Sequence, residues 1–152
     1  MDIIADDAAQ NAFDASEACI GASICQVGLR DSQQMLRDIR EAVKDAGVDP
    51  WLPQLHISGC PSSCASHQAG VIGLRGGIKM VDKKPVPAFL LYVNGSDLLD
   101  NERLGTELGA VAISDIPTFF VMLGQTVKDT GLTWDQWVSP EKLTEFAADW
   151  VK

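Results

Sequence analysis

The chain of 152 residues is long enough to bury a hydrophobic core without the help of metal or disulfide staples. Hydrophobic residues make up 46% of it and charged residues 22%, as in folded globular proteins rather than disordered chains. Its 21 acidic residues exceed its 12 basic ones, and the formal net charge of -9 argues against nucleic acid as a partner.

The first seventeen residues form an acidic lead-in of carboxylates among small side chains. We expect this segment, 1–17, to be loosely held and residues 18–152 to form one domain. Residues 1–7 lack the basic and apolar regions of a signal peptide, and no apolar run approaches the ~20 residues of a membrane span. We therefore expect a soluble, cytoplasmic protein that contacts no membrane. The acidic residues of the lead-in are Asp2, Asp6, Asp7, Asp14 and Glu17.

An amphipathic helix is predicted over residues 32–46, where apolar side chains recur at helical spacing. Asp31 and Gln34 form an N-cap signal, and Gly47 is a typical C-terminal stop. This helix separates two pairs of cysteines along the chain.

Short β-prone runs follow at residues 55–58, 71–74, 78–81 and 88–93. Turns are predicted at Gly76-Gly77 and at Asn94-Gly95. Two more helices are predicted, one opening at Asp115-Pro117 and running to about residue 130, the other opening at Ser139-Pro140. The expected fold class is α+β, a small mixed β-sheet flanked by helices.

Four cysteines stand in the pattern C-x5-C, then thirty-four residues, then C-x3-C. A 4Fe-4S cube needs four thiolates that converge from different directions, and two short loops can supply two each. Zinc sites usually have two to four residues between paired ligands, so C-x5-C argues mildly against zinc. Disulfides and merely buried cysteines remain open as alternatives. Glycines 21 and 59 could bring backbone N–H groups close to sulfur. The cysteines are Cys19, Cys25, Cys60 and Cys64.

Two ordered motifs around these cysteines carry a family resemblance. Residues 18–25, ACIGASIC, resemble the first cluster motif of the sirohaem-dependent nitrite and sulfite reductases. Residues 56–67, HISGCPSSCASH, and the following VIGLRG at 71–76 resemble that family's T-G-C-P-N-x-C and I-G-L-x-G segments. Ser62 departs from the pattern, because the family usually has Asn there. The resemblance covers roughly residues 18–150.

The resemblance implies one half of the family's sirohaem-domain architecture, with Cys19, Cys25, Cys60 and Cys64 as ligands of one 4Fe-4S cluster. It assigns to Cys64 the further role of bridging to the sirohaem iron. The complete enzyme would reduce nitrite or sulfite with electrons from a ferredoxin or flavoprotein. Its N-terminal half, which supplies much of the basic anion pocket, has no counterpart here, so we expect the isolated chain to be inactive.

Two alternatives of other classes remain open. One is a stand-alone 4Fe-4S electron-transfer module without sirohaem, and the other is a structural zinc or cluster-free domain. The basic residues and histidines near the motifs are each more typical of structural or solvated side chains than of catalytic groups. The tryptophans are dispersed and indicate core packing. The residues left without a functional role are His56, His67, Arg30, Arg75, Lys79, Trp51, Trp134, Trp137 and Trp150.

Overall fold

A computed structural model describes residues 9–151 and confirms the predicted α+β class, with helices beside a five-stranded mixed sheet. Residues Asp2, Asp6 and Asp7 of the predicted lead-in lie outside the described residues. The strands are Glu17–Ala18 (β1), Leu55–Ser58 (β2), Ile72–Val81 (β3), Lys84–Val93 (β4) and Thr106–Ala112 (β5). The helices are Ser32–Ala46 (α1), Ile116–Asp129 (α2), Trp134–Trp137 (α3) and Pro140–Ala148 (α4), with 3-10 turns at Phe13–Ala15 and Asp49–Trp51.

The strands lie in chain order across the sheet. β1, β2 and β3 run parallel, with Ala18 opposite Ile57 and Ser58 opposite Arg75, whereas β3, β4 and β5 form antiparallel neighbours. Because the carboxyl ends of parallel strands meet at one edge, the segments that follow β1 and β2 leave the sheet side by side. These two segments carry the cysteines.

Helix α1 has the predicted bounds and caps. The Asp31 carboxylate accepts a hydrogen bond from the Gln34 amide at 3.0 Å, and Gly47 ends the helix with a φ of 67°. Its apolar stripe packs against α2 and one face of the sheet. The buried side chains of this layer include Met35, Ile39, Val43, Phe89, Leu91, Phe119, Phe120 and Leu123.

The predicted turn at Gly76-Gly77 is wrong, because both glycines lie inside the continuous strand β3. The chain reverses instead at Asp82-Lys83, whose φ values of 51° and 65° are typical of a two-residue type I′ hairpin loop. Gly76 is needed for close approach rather than for a turn. A side-chain carbon added there would lie 2.1 Å from the carbonyl oxygen of Gly59.

The described part of the lead-in is anchored rather than loosely held. Phe13 is fully buried in the core, and the Asp14 carboxylate lies 2.7 Å from the ammonium group of Lys44. This contact holds the pKa of Asp14 below its usual value, chiefly through the hydrogen bond with Lys44. The proposed boundary between residues 17 and 18 remains a prediction.

The chain beyond β4 contains both predicted helices and two elements that were not predicted, β5 and α3. Asn94 bends the chain after β4 with a φ of 66°, as expected for the second predicted turn. The tryptophans pack in or against the core, which confirms their structural interpretation. Within residues 9–151, the helices are all too short or too polar to cross a membrane.

Candidate functional site

The first cysteine loop leaves β1 at Cys19 and folds back on itself. The Cys19 amide donates to the carbonyl of Ile57 at 3.0 Å, which continues the pairing with β2. Gly21 accepts a hydrogen bond from the Cys25 amide at 2.8 Å. The φ of 67° at Gly21 and its contact with the start of α1 exclude a side chain there. Both cysteines of this loop are partly exposed.

The second cysteine loop connects β2 to β3. Cys60 is buried, with 7% of its surface exposed, whereas Cys64 is exposed. Hydrogen bonds from the Ser62 hydroxyl and then the Ser62 amide lower the pKa of the Cys60 thiol, while burial opposes them. Ser62 therefore supplies a hydrogen bond from the position where the family usually has Asn.

The two loops are joined at Gly59. Its carbonyl accepts hydrogen bonds from the amides of Leu29 and Arg30, each at 3.0 Å. Its own amide donates to the sulfur of Cys19 at 3.1 Å. The prediction that Gly59 brings an N–H group to sulfur is thus confirmed, although the recipient belongs to the other motif. Hydrogen bonds of this kind tune the potentials of clusters held by cysteine.

Ser32, fully buried at the start of α1, holds Cys19 from the other side. Its hydroxyl donates to the Cys19 carbonyl at 2.8 Å, and its oxygen lies 3.2 Å from the Cys19 sulfur. Since a hydroxyl has one hydrogen, the thiol must be the donor in the second contact. Sequence analysis missed Ser32, which resembles an ordinary first-turn residue of a helix.

The four thiols are all free, so the disulfide alternative is not supported, and only Cys60 is buried, so the alternative of merely buried cysteines fails for the other three. Among residues 9–151, no three His, Cys, Asp or Glu side chains are grouped closely enough to hold a metal ion. The four thiols fit a cluster in donor chemistry, and their loops abut. The described conformation does not gather the sulfurs into a ligand set.

The two histidines make different contacts. Nδ1 of His56 lies 2.9 Å from the Glu17 carboxylate and 3.1 Å from the Ala65 carbonyl oxygen. His67 is fully buried with its ring centroid 4.9 Å from that of Tyr92, and neither ring nitrogen has a hydrogen-bond partner within the described part of the chain. Burial, followed by the charge of Arg75, lowers the pKa of His67 to about 4.

The three basic residues near the motifs all make contacts within the fold. Nε of Arg30 donates to the Gly77 carbonyl at 2.9 Å, which ties the first loop to β3. The Arg75 guanidinium lies 3.6 Å from the Glu107 carboxylate, and the Lys79 ammonium is 3.5 Å from a backbone oxygen near the C-terminal end. These contacts support the structural interpretation of each residue.

Comparisons with known proteins found similarity to a nitrite reductase and to the structure of NirA. No protein-family model matches the sequence. A curated ferredoxin–nitrite reductase from Synechococcus elongatus is 28% identical over 101 residues, which span 66% of this chain and 20% of that protein. The solved structure of the Mycobacterium tuberculosis NirA protein superposes with a TM-score of 0.65 at 22% identity, covering 85% of this chain and 26% of that one.

The fold is an α+β domain similar to part of the NirA structure. In this chain the two cysteine loops follow neighbouring parallel strands and meet at one sheet edge. The curated match confirms the predicted resemblance: over 101 residues this chain is similar to part of a ferredoxin–nitrite reductase. It spans about a fifth of the curated relative and about a quarter of the solved structure.

Proposed function

We propose that this chain is the iron-sulfur and sirohaem-binding portion of a nitrite or sulfite reductase. The observation that supports it best is the junction of the two cysteine motifs at Gly59, whose amide donates to the sulfur of Cys19. Two motifs thirty-four residues apart in sequence are thereby held against each other by hydrogen bonds within the chain. The curated relative, a ferredoxin–nitrite reductase, supports the proposed class of reaction.

Cys19, Cys25, Cys60 and Cys64 would hold one 4Fe-4S cluster as thiolates. Ligand sulfurs must lose their protons, and groups that donate hydrogen bonds to sulfur ease that loss. The Gly59 amide already donates to Cys19, and Ser62 donates to Cys60. Metal binding is commonly coupled to the ordering of its ligands, so closure of the two loops belongs to the proposed binding step.

Cys64 is the proposed bridge to the sirohaem iron, and its exposure leaves its sulfur accessible to a second group. The cluster and sirohaem, when bound, supply electron storage and an iron at which nitrite or sulfite is reduced. This chain contributes sulfur ligands, the hydrogen bonds that orient them, and the sheet edge that carries them.

The remainder of the proposed enzyme lies outside this chain. Ile24 and Val27 of the first cysteine loop are 71% and 69% exposed, which suits a surface covered by the N-terminal half of the same enzyme. With a formal net charge of -9, the chain is poorly suited to hold an anion, so the proposed nitrite or sulfite site draws its basic residues from that half. The proposed electron donor is a ferredoxin or flavoprotein, in the cytoplasm, and the isolated chain should reduce neither anion with a reduced dye.

Anaerobic reconstitution with iron and sulfide tests the proposal. The expected result is about four irons and four sulfides per chain and a visible cluster spectrum, as the composition of a 4Fe-4S cluster requires. Cys64→Ala should lose this spectrum. Ser23→Ala is the matched control, since Ser23 is an exposed residue of the first loop whose hydroxyl donates to the carbonyl of its neighbour Ile20.

The other outcomes separate the alternatives. Zinc without acid-labile sulfide would contradict the proposal and favour a structural zinc domain. A cluster that forms in the chain, with no sirohaem bound even after the N-terminal half of a relative is added, would favour a stand-alone electron-transfer module. Equal iron retention in Cys64→Ala and the parent chain would remove Cys64 from the ligand set.

A further inference from the structure

His56 makes polar contacts close to both pairs of cysteines. It lies on β2, four residues before Cys60, and pairs in the parallel register with Glu17 of β1. Its Nδ1 atom is 2.9 Å from the carboxylate of Glu17, two residues before Cys19, and 3.1 Å from the carbonyl oxygen of Ala65, directly after Cys64. One imidazole nitrogen therefore contacts residues within two positions of Cys19 and of Cys64.

Ser58 lies two residues after His56 on β2, on the same face of the sheet, and also binds Ala65. The Ala65 amide donates to the Ser58 hydroxyl oxygen at 3.2 Å, while the Ala65 carbonyl faces His56. The backbone amide and carbonyl of Ala65 are thus bound from one strand. Ala65 is 5% exposed, so loss of either bond would leave a buried backbone group without its partner.

The contacts of Nδ1 also determine which nitrogen of the His56 ring carries a hydrogen. A carboxylate and a backbone carbonyl can only accept, so Nδ1 of His56 must carry a hydrogen. A carbon added at Gly70 would lie 2.5 Å from the His56 ring, so the loop backbone packs directly on the imidazole. The position therefore favours a flat, short side chain with a donor at the δ position.

We propose that His56 is a positioning residue that couples the two cysteine motifs, with Ser58 as its partner on Ala65. Its purpose rests on the proposed function, in which all four sulfurs bind one cluster. The coupling itself consists of contacts between residues of this chain. It holds the second cysteine loop against β2 and restrains it relative to Glu17.

The test compares the alkylation of two thiols in the same molecule, in the complete chain without metal. Cys60 is buried and becomes reactive when the second loop opens, whereas Cys25 lies on the first loop outside the His56 contacts. His56→Leu should raise the ratio of Cys60 to Cys25 alkylation rates about tenfold, as expected for the loss of a hydrogen bond to a buried group. Quantitative mass spectrometry of the labelled peptides gives both rates.

Two isosteric variants distinguish positioning from packing. The side-chain amide of Asn places its nitrogen near the site of Nδ1, so His56→Asn should restore the ratio to within about twofold of the parent value. The longer Gln places its nitrogen near the site of Nε2, so His56→Gln should resemble His56→Leu. Leu143→Ala, on the buried face of α4, is the control for general destabilisation and should leave the ratio within about twofold of the parent value, because it is remote from the His56 contacts.

An unchanged ratio in His56→Leu would overturn the proposal, as would equal ratios in the Asn and Gln variants. If His56→Leu fails to fold, Ser58→Ala compared with Ser58→Thr tests the second bond to Ala65 in the same assay. Iron and sulfide counts on the same proteins separate this proposal from the proposed function. If His56→Leu shifts the alkylation ratio but the parent chain binds no cluster, the coupling stands and the proposed function is contradicted. If the ratio does not shift but the parent chain binds a cluster, the proposed function stands and the coupling is contradicted.

Discussion

Gly76 is the residue at which the central strand supports the cysteine motifs. A carbon added there would lie 2.1 Å from the Gly59 carbonyl oxygen and 3.0 Å from the β-carbon of Arg30. The first neighbour is the backbone that joins the two loops, and backbone cannot rotate out of the way as a side chain can. Gly77, the next residue, differs: its added carbon would lie 2.3 Å from the end of the flexible Leu90 side chain.

Gly76→Ala should therefore lower the free energy of unfolding by about 3 kcal/mol, at the upper end of overpacking effects. It should also displace Gly59 from the amides of Leu29 and Arg30 and raise the alkylation rate of Cys60. Urea unfolding and thiol labelling measure the two effects. Gly77→Ala is the matched control and should change stability by less than about 1 kcal/mol, because Leu90 can adopt another rotamer. Equal losses in the two variants would contradict this assignment of Gly76.

At the scale of elements, helix α1 fixes the relative placement of the cysteine loops. Its first residue, Ser32, bonds to the Cys19 carbonyl, and its apolar stripe packs in the core against the sheet. The N-terminal cap of α1 is Asp31, whose carboxylate accepts from the Gln34 amide at 3.0 Å. The stability of this cap therefore affects the first cysteine loop as well as the helix.

Asp31→Ala should lower the free energy of unfolding by about 1 kcal/mol, the usual effect of removing an N-cap. Asp45→Ala makes the same chemical change on an exposed residue at the other end of α1. It should raise the free energy of unfolding by no more than about 0.5 kcal/mol, because a carboxylate is unfavourable near a helix C-terminus. Denaturant titrations of both variants give the comparison, and a larger loss in Asp45→Ala would contradict the role of the cap.

The elements that sequence predicted correctly carry local signals. The caps and apolar periodicity of α1 lie within its own residues, as do the proline starts of α2 and α4. The short helix α3 was missed although Thr133 and Gln136 form a capping box that could have identified it. Strand β5, TELGAVA, lacks alternation and contains Gly109 with a φ of 146°, and it is defined mainly by its pairing with β4.

Features of the candidate site also differ in whether a local sequence signal predicts them or only the fold brings them together. Spacing and flanking glycines were enough to predict that the Gly59 amide approaches a cysteine sulfur. The assignment of the four cysteines as cluster ligands remains a prediction. The coupling role of His56 could not be predicted, because its partners Glu17 and Ala65 are brought to it only by the register of β1 with β2 and by the path of the second loop. Gly76 was misread because a glycine required for close approach and one required for a turn are identical in sequence.

Across the whole molecule, the two faces of the sheet are covered differently. Helices α1 and α2 cover one face, where Phe89 and Leu91 are buried. On the other face the second cysteine loop lies on the sheet. A carbon added at Gly73 would lie 1.7 Å from the His67 carbonyl oxygen, and the His67 ring rests on Tyr92. The burial of His67 therefore depends on the loop staying closed over this face.

This burial should make the stability of the chain depend on pH through His67. Its pKa is about 4 in the folded state, against 6.5 for an ordinary histidine, so between these values the unfolded chain binds a proton that the folded chain does not. The contribution of His67 to the free energy of unfolding is complete above pH 6.5 and falls by roughly 3 kcal/mol as the pH drops to 4. Asp14, whose pKa is lowered from 3.8, loses its own contribution below that range. Urea unfolding at a series of pH values measures the decline.

His67→Phe is the control, because phenylalanine keeps the ring contact with Tyr92 and removes the titrating nitrogens. Its unfolding free energy should decline less than that of the parent chain by roughly 3 kcal/mol between pH 6.5 and 4, and the two profiles should become parallel once the pH is well below the folded-state pKa of about 4. Parallel profiles across the whole range would mean that His67 titrates normally and that the second loop leaves it open to water. Because that loop carries Cys60 and Cys64, acid should open the cysteine site before it unfolds the core, and the alkylation rate of Cys60 should rise in the same pH range once corrected for thiolate content.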